Sequence, residues 1–134
     1  MQPLVLLYNL TDDTPAGKTL RKIFLTRGIA CGDIPEEQLG ATIGDLLGMD
    51  GMIDGAHEAD ASEITDDILT SHLLLMCGFD ESLLDQFLAD MRAASVRIPH
   101  KAMLTETNVG FTVAQLIRDI SREHQMMQMM AKSK

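Results

Sequence analysis

Two short, almost purely apolar runs constrain this chain more than anything else in it: Leu4 to Leu10, and Leu73-Leu74-Leu75-Met76 within His72 to Cys77. Each is too short for an ordinary helix and lacks polar alternation, so each reads as a strand buried on both faces. Each is followed by helical spacing. After the first run, Thr14 stands as a cap, Pro15 in the first turn and Gly28 as a stop, with Ala16, Leu20, Ile23, Phe24 and Arg27 on one face. After the second, Asp80 is the cap, and Phe79 with Leu84 forms a hydrophobic staple. Leu83, Leu84, Phe87, Leu88, Met91 and Ala94 then make one stripe. Leu25 falls on the polar side of the first helix, a small misfit.

The plan continues in both halves. Ile29 to Ile34 is a second strand, and Asp33-Ile34-Pro35-Glu36 has the form of a cap. Leu39, Ile43, Leu46 and Leu47 have helical spacing, but Gly40 and Gly44 weaken it, at about 1 kcal/mol each against alanine. Arg97 to Leu104 is a fourth strand, placed at an edge by Pro99. Thr112 and Gln115 form a capping box for the last helix, with Phe111 and Leu116 as its staple. Residues 48 to 71 are the long break, either a mobile connector or the seat of a short helix near Ile64 to Leu69.

Alternating strands and helices predict an α/β protein with a small, mostly parallel four-stranded sheet. Residues 1–134 form a single domain of two similar β-α-β-α halves, 1–49 and 70–134, joined by an acidic connector, 50–69. At an offset of 68, Leu6, Leu7, Asp12 and Leu20 align with Leu74, Leu75, Asp80 and Leu88. Right-handed units side by side give the order 2-1-3-4, with the two most apolar strands, the first and third, adjacent and parallel at the centre. A crevice then opens at their carboxyl ends, lined by Asn9, Thr11, Asp12, Cys77, Gly78 and Asp80. The alternative is a split, ferredoxin-like sheet in which one strand runs antiparallel.

Charge narrows the partners. The net charge is −9, and from Gly28 to Met91 there are fifteen acids and no Lys or Arg. Residues 1 to 27 carry four bases and two acids; residues 92 to 134 carry seven bases and three acids. A surface that tracks phosphates needs clustered bases, so general nucleic-acid binding is disfavoured. No run is long enough for a membrane span, and the opening residues lack the basic start of a signal peptide. Two cysteines, Cys31 and Cys77, fit a reducing interior, so the expected location is the cytoplasm.

The turn Met76-Cys77-Gly78-Phe79 and the lysine-led strand Lys101-Ala102-Met103, ending Leu104-Thr105-Glu106-Thr107-Asn108, carry a resemblance. Together with the helix between them they resemble a bacterial family of small proteins of unknown function. The likeness covers about residues 70 to 125, and the opening Leu-Leu-Tyr-Asn segment more loosely. It implies membership of a family, with no activity and no catalytic residues to carry over.

Candidate chemistry is sparse. Cys77, at a strand end before a helix N-terminus, could be an activated thiol, set against a plain buried cysteine. Lys101, Thr105, Thr107 and Asn108 could bind an anion ahead of a helix, set against ordinary turn chemistry. Asp50 to Gly55 faintly resembles a calcium loop, but Met52 and Ala61 stand where ligands are required. No Cys/His cluster has zinc spacing, and no glycine-rich phosphate loop is present, so no metal or cofactor is expected. Met126, Met129 and Met130 cannot all turn onto one face of the last helix and are candidates for contact with another protein, a homodimer being the simplest. The expected function is a noncatalytic binding or protein-interaction module. The alternative is a small enzyme or thiol-dependent sensor using the crevice and Cys77.

Overall fold

The computed structural model describes residues 2–47, 65–98 and 100–132, with side chains as far as residue 123. The elements are β1 (Leu4–Tyr8), α1 (Pro15–Arg27), β2 (Ala30–Asp33), a 3₁₀ turn (Glu36–Gln38), α2 (Ile43–Leu46) and α3 (Asp66–Leu69). They continue as β3 (Leu73–Cys77), α4 (Glu81–Ala93), β4 (Lys101–Met103), a second 3₁₀ turn (Asn108–Gly110) and α5 (Val113–Lys132). The chain gathers into two compact units, each drawing on both halves. One joins Met1–Ile34 with His72–Leu104, the other Pro35–Ser71 with Thr105–Lys134.

The first unit holds the sheet, in the order β2-β1-β3-β4. β1 pairs with β2, and β3 with β4, in parallel. The central pair is a correction. β1 and β3 are antiparallel, with Leu4 opposite Cys77 and Tyr8 opposite Leu73. The reason lies in the crossover helices. With a parallel centre, right-handed crossovers leaving in opposite directions cover opposite faces. Turning the second strand-helix-strand unit end for end puts both helices on one face. Their apolar stripes then meet, and Phe24 of α1 stacks on Phe87 of α4 with ring centroids 5.7 Å apart. Val5 and Leu7 of β1 and Leu74 and Met76 of β3 lie in the same core cluster, with Leu20 and Met91. An apolar strand reads alike in both directions, so its composition locates the sheet centre but not its polarity.

Local signals set the helix ends. The N–H of Gly17 donates to Thr14 Oγ1 (3.0 Å), and that of Leu83 to Asp80 Oδ1 (2.7 Å). α1 closes on Gly28 at φ 69°, where the Ile29 N–H reaches back to Phe24 O (2.8 Å). α4 closes in the same way, the Val96 N–H donating to Met91 O (2.9 Å), but the left-handed residue there is Ser95 at φ 58°. Leu25 is 84% exposed, as its place on the polar side predicts. Asp33 does not cap. Its carboxylate instead accepts from Arg21 Nη2 (2.6 Å), and the following 3₁₀ turn has no side-chain cap.

The sheet unit therefore has an internal two-fold. Its axis passes between Leu6 and Leu75, which face each other in the register, and it carries β1, α1 and β2 onto β3, α4 and β4. The second unit carries its own version. Thr42 and Thr112 form an antiparallel bridge, with Ile43 N–H donating to Phe111 O (2.9 Å) and Val113 N–H to Ala41 O (3.1 Å). Each threonine also caps a helix, its Oγ1 accepting from Asp45 N–H (3.2 Å) or Gln115 N–H (3.1 Å). Gly40, Thr42 and Leu46 recur as Gly110, Thr112 and Leu116, all 70 residues on. The weak helix expected around Leu39 to Leu47 is the single turn α2, and α3 supplies the short helix expected near residues 64 to 69. The connector expectation otherwise falls on residues 48–64, and Pro99 stands alone; both lie outside the described residues.

Candidate functional site

The antiparallel centre separates the residues assigned to one crevice. Asn9, Thr11 and Asp12 follow β1, at the sheet end where β3 begins; Cys77, Gly78 and Asp80 lie at the end where β1 begins. Each group has local structural work. Asn9 (φ 61°) and Gly78 (φ 72°) turn the chain out of its strand. Thr11 O accepts from both the N–H (3.1 Å) and the Oγ1 (2.8 Å) of Thr14, and Asp80 caps α4. Asp12 is exposed. Cys77 is fully buried, and burial pushes its thiol up to about 11, so it is protonated at neutral pH. Cys31 is exposed.

The polar cluster after the fourth strand is occupied by turn chemistry. Thr105 N–H donates to Asn108 Oδ1 (2.8 Å), and Asn108 N–H to Thr105 Oγ1 (3.0 Å). Thr107 is exposed. Lys101 Nζ donates to Ile98 O (2.7 Å). The side chains of Met126, Met129 and Met130 lie outside the described residues. Among the described residues no group of three or more His, Cys, Asp or Glu side chains could hold a metal ion, and no helix is long and apolar enough to cross a membrane.

Lys101 belongs instead to a groove that sequence spacing did not reveal. Leu88, Met91 and Arg92 stand at i, i+3 and i+4 of α4, on one face. The left-handed turn at Ser95 then folds the chain back, and Val96 and Arg97 join that face beside Lys101 of β4. The cavity is about 420 Å³. Leu88, Met91 and Val96 give it apolar walls; Arg92, Arg97 and Lys101 give it three cations, with no acid among the described residues that line it. The other two arginines of this unit have carboxylate partners. Arg21 pairs with Asp33 (2.6 Å) and Arg27 with Asp90 (2.7 Å). The Arg27 guanidinium hydrogen-bonds Asp90 and holds its carboxyl below the usual carboxylate range. Arg92 and Arg97, by contrast, have no side-chain hydrogen bond or ion pair among the described residues. The sequence signal was faint: Arg92 is where bases resume after the long base-free stretch.

A second feature also escaped the sequence. His72 and His100 face each other with ring centroids 5.0 Å apart, and His72 Nε2 is buried without a hydrogen-bond partner among the described residues. Burial, and then the neighbouring His100, lower the His72 pKa.

The groove falls within a stretch that has known counterparts. Residues 72–127 match the family model of a domain of unknown function, DUF3783. The DUF3783 stretch takes in β3, α4, β4 and the first part of α5, and so every residue of the groove. No curated protein and no solved structure matches the chain.

Proposed function

We propose that this protein is a binding module with no catalytic step of its own, taking an anionic partner in the groove of Leu88, Met91, Arg92, Val96, Arg97 and Lys101. One observation carries this reading: two arginines without carboxylate partners among the described residues flank an apolar cavity in a chain of net charge −9. Acids outnumber bases by 20 to 11, yet Leu88, Met91, Arg92, Val96, Arg97 and Lys101, the residues that line this groove, include three cations. Guanidinium is permanently cationic and its planar fork suits carboxylate or phosphate oxygens. α4 accounts for one of the three cations, because its C-terminal dipole favours Arg92 there. It does not account for Arg97 or Lys101.

The free thiols Cys31 and Cys77 support a reducing, cytoplasmic location. The methionines late in α5 support self-association as a further partner reading. The test of the groove is fluorescence anisotropy with a sulfonated dye as an anionic probe. Binding should weaken with added salt and fall at least tenfold in an Arg92→Gln/Arg97→Gln variant. Equal binding by the variant would remove the groove from the function.

A further inference from the structure

Resting on the anionic-partner reading, we infer that the groove takes a small amphiphilic anion. A carboxylate or phosphate head sits between Arg92, Arg97 and Lys101, and a short alkyl tail lies on Leu88, Met91 and Val96.

The cavity is large enough for a small ligand: small-molecule pockets start at roughly 300 Å³, and this one is about 420 Å³. The two kinds of lining select the two ends of the ligand. Lys101 Nζ spends one of its three N–H donors on Ile98 O (2.7 Å), which fixes the side chain and leaves two donors for a head group. Arg92 and Arg97 bring two forks of the same sign. Met91 is 3% exposed and Leu88 and Val96 are half-buried, so the apolar wall is continuous with the sheet-unit core. Methionine adapts to irregular apolar shapes.

The internal two-fold supplies a control within the same chain. Matching the two helix closures and the two strand registers, the positions of Leu88, Met91, Arg92, Val96, Arg97 and Lys101 correspond to Arg21, Phe24, Leu25, Ile29, Ala30 and Cys31. The first half keeps the apolar pair, Phe24 and Ile29, at the matching closure. Its one cation, Arg21, is neutralised by Asp33 at 2.6 Å. The position of Asp33 is taken by Met103 in the second half. One scaffold thus carries two versions of the same corner. Among the described residues, the corner inside the DUF3783 stretch has three cations and no acid where the other does not, so the fold itself does not demand them.

The experiment is isothermal titration of the full-length chain with octanoate and octyl phosphate. The comparison compounds are acetate and inorganic phosphate, which lack the tail, and octanol, which lacks the charge. Both amphiphilic anions should bind, each at least tenfold more tightly than its comparisons. Arg92→Gln/Arg97→Gln and Val96→Asp should each weaken them at least tenfold, while Arg21→Gln in the first half leaves them unchanged. Circular dichroism of every variant checks that the fold is kept. Acetate and phosphate binding as tightly as the octyl compounds, with dependence on the arginines, would overturn the tail but leave the anionic-partner reading standing. Arginine-dependent binding of polyglutamate without any octyl anion would do the same. Octanol binding as well as octanoate, or no binding by any compound, would overturn both. Arginine-dependent pelleting with phosphatidylglycerol vesicles, without binding of the free octyl anions, would replace the soluble ligand by a membrane surface.

Discussion

Replacing Gly17 with alanine separates what the helix wants from what the packing permits. Gly17 lies in the first turn of α1, and by propensity alone alanine there should stabilise the helix by about 0.8–1 kcal/mol. The structure reverses the sign. A Cβ on Gly17 would stand 1.9 Å from Thr11 O and 2.8 Å from Leu10 O, both backbone atoms. Neither can retreat freely. Thr11 O accepts from Thr14 twice, and Leu10 O accepts from Arg21 Nη1 (2.9 Å). Overpacking costs about 1–3 kcal/mol, and a loosened Thr14 cap adds about 1 kcal/mol. Set against the propensity gain, the net loss is about 1–3 kcal/mol. For a chain of this size that is a fall of roughly 3–15 °C in melting temperature. Urea unfolding followed by circular dichroism should show a lower midpoint with an unchanged slope. Gly32→Ala is the control, because its Cβ meets only Leu6 Cδ2 at an ordinary 3.5 Å. A Gly17→Ala variant as stable as wild type, or more so, would refute the close approach of helix and loop.

Other outcomes follow from the same structure. Ser95→Gly should raise stability by about 0.5–1 kcal/mol in urea titration, since it relieves a left-handed serine, and Gly28→Ser should lower it by a similar amount. His72 is held below its ordinary pKa in the fold, so the unfolded chain takes up its proton first. Stability is complete above about pH 6.5 and declines as pH falls through that value, until the folded imidazole also protonates; unfolding midpoints between pH 7.5 and 5.5 should show the decline, and His72→Gln should flatten it. A midpoint independent of pH in the wild type would contradict the burial of that ring. Replacing Met126, Met129 and Met130 together with glutamine should weaken a dimer seen by light scattering; a wild type that is monomeric at high concentration would end the self-association proposal.

Sequence alone determined what is decided within one or two helical turns. Thr14, Asp80 and Thr112 cap helices because a hydroxyl or carboxylate can reach an N–H three residues on, whatever lies elsewhere. The apolar runs fixed which strands occupy the sheet centre, and Gly40 and Gly44 marked the segment around α2 as weakly helical. Tertiary structure decided the direction of β3 against β1, because an apolar strand is blind to direction. The outcome depended on which arrangement buries Phe24 and Phe87 together, two side chains 63 residues apart in the chain. That choice scattered the residues expected to share a crevice. It also took the groove out of reach of sequence spacing. Arg92, Arg97 and Lys101 fit no single helix or strand period, and they share one cavity because a left-handed serine turns the chain back between the end of α4 and an edge strand.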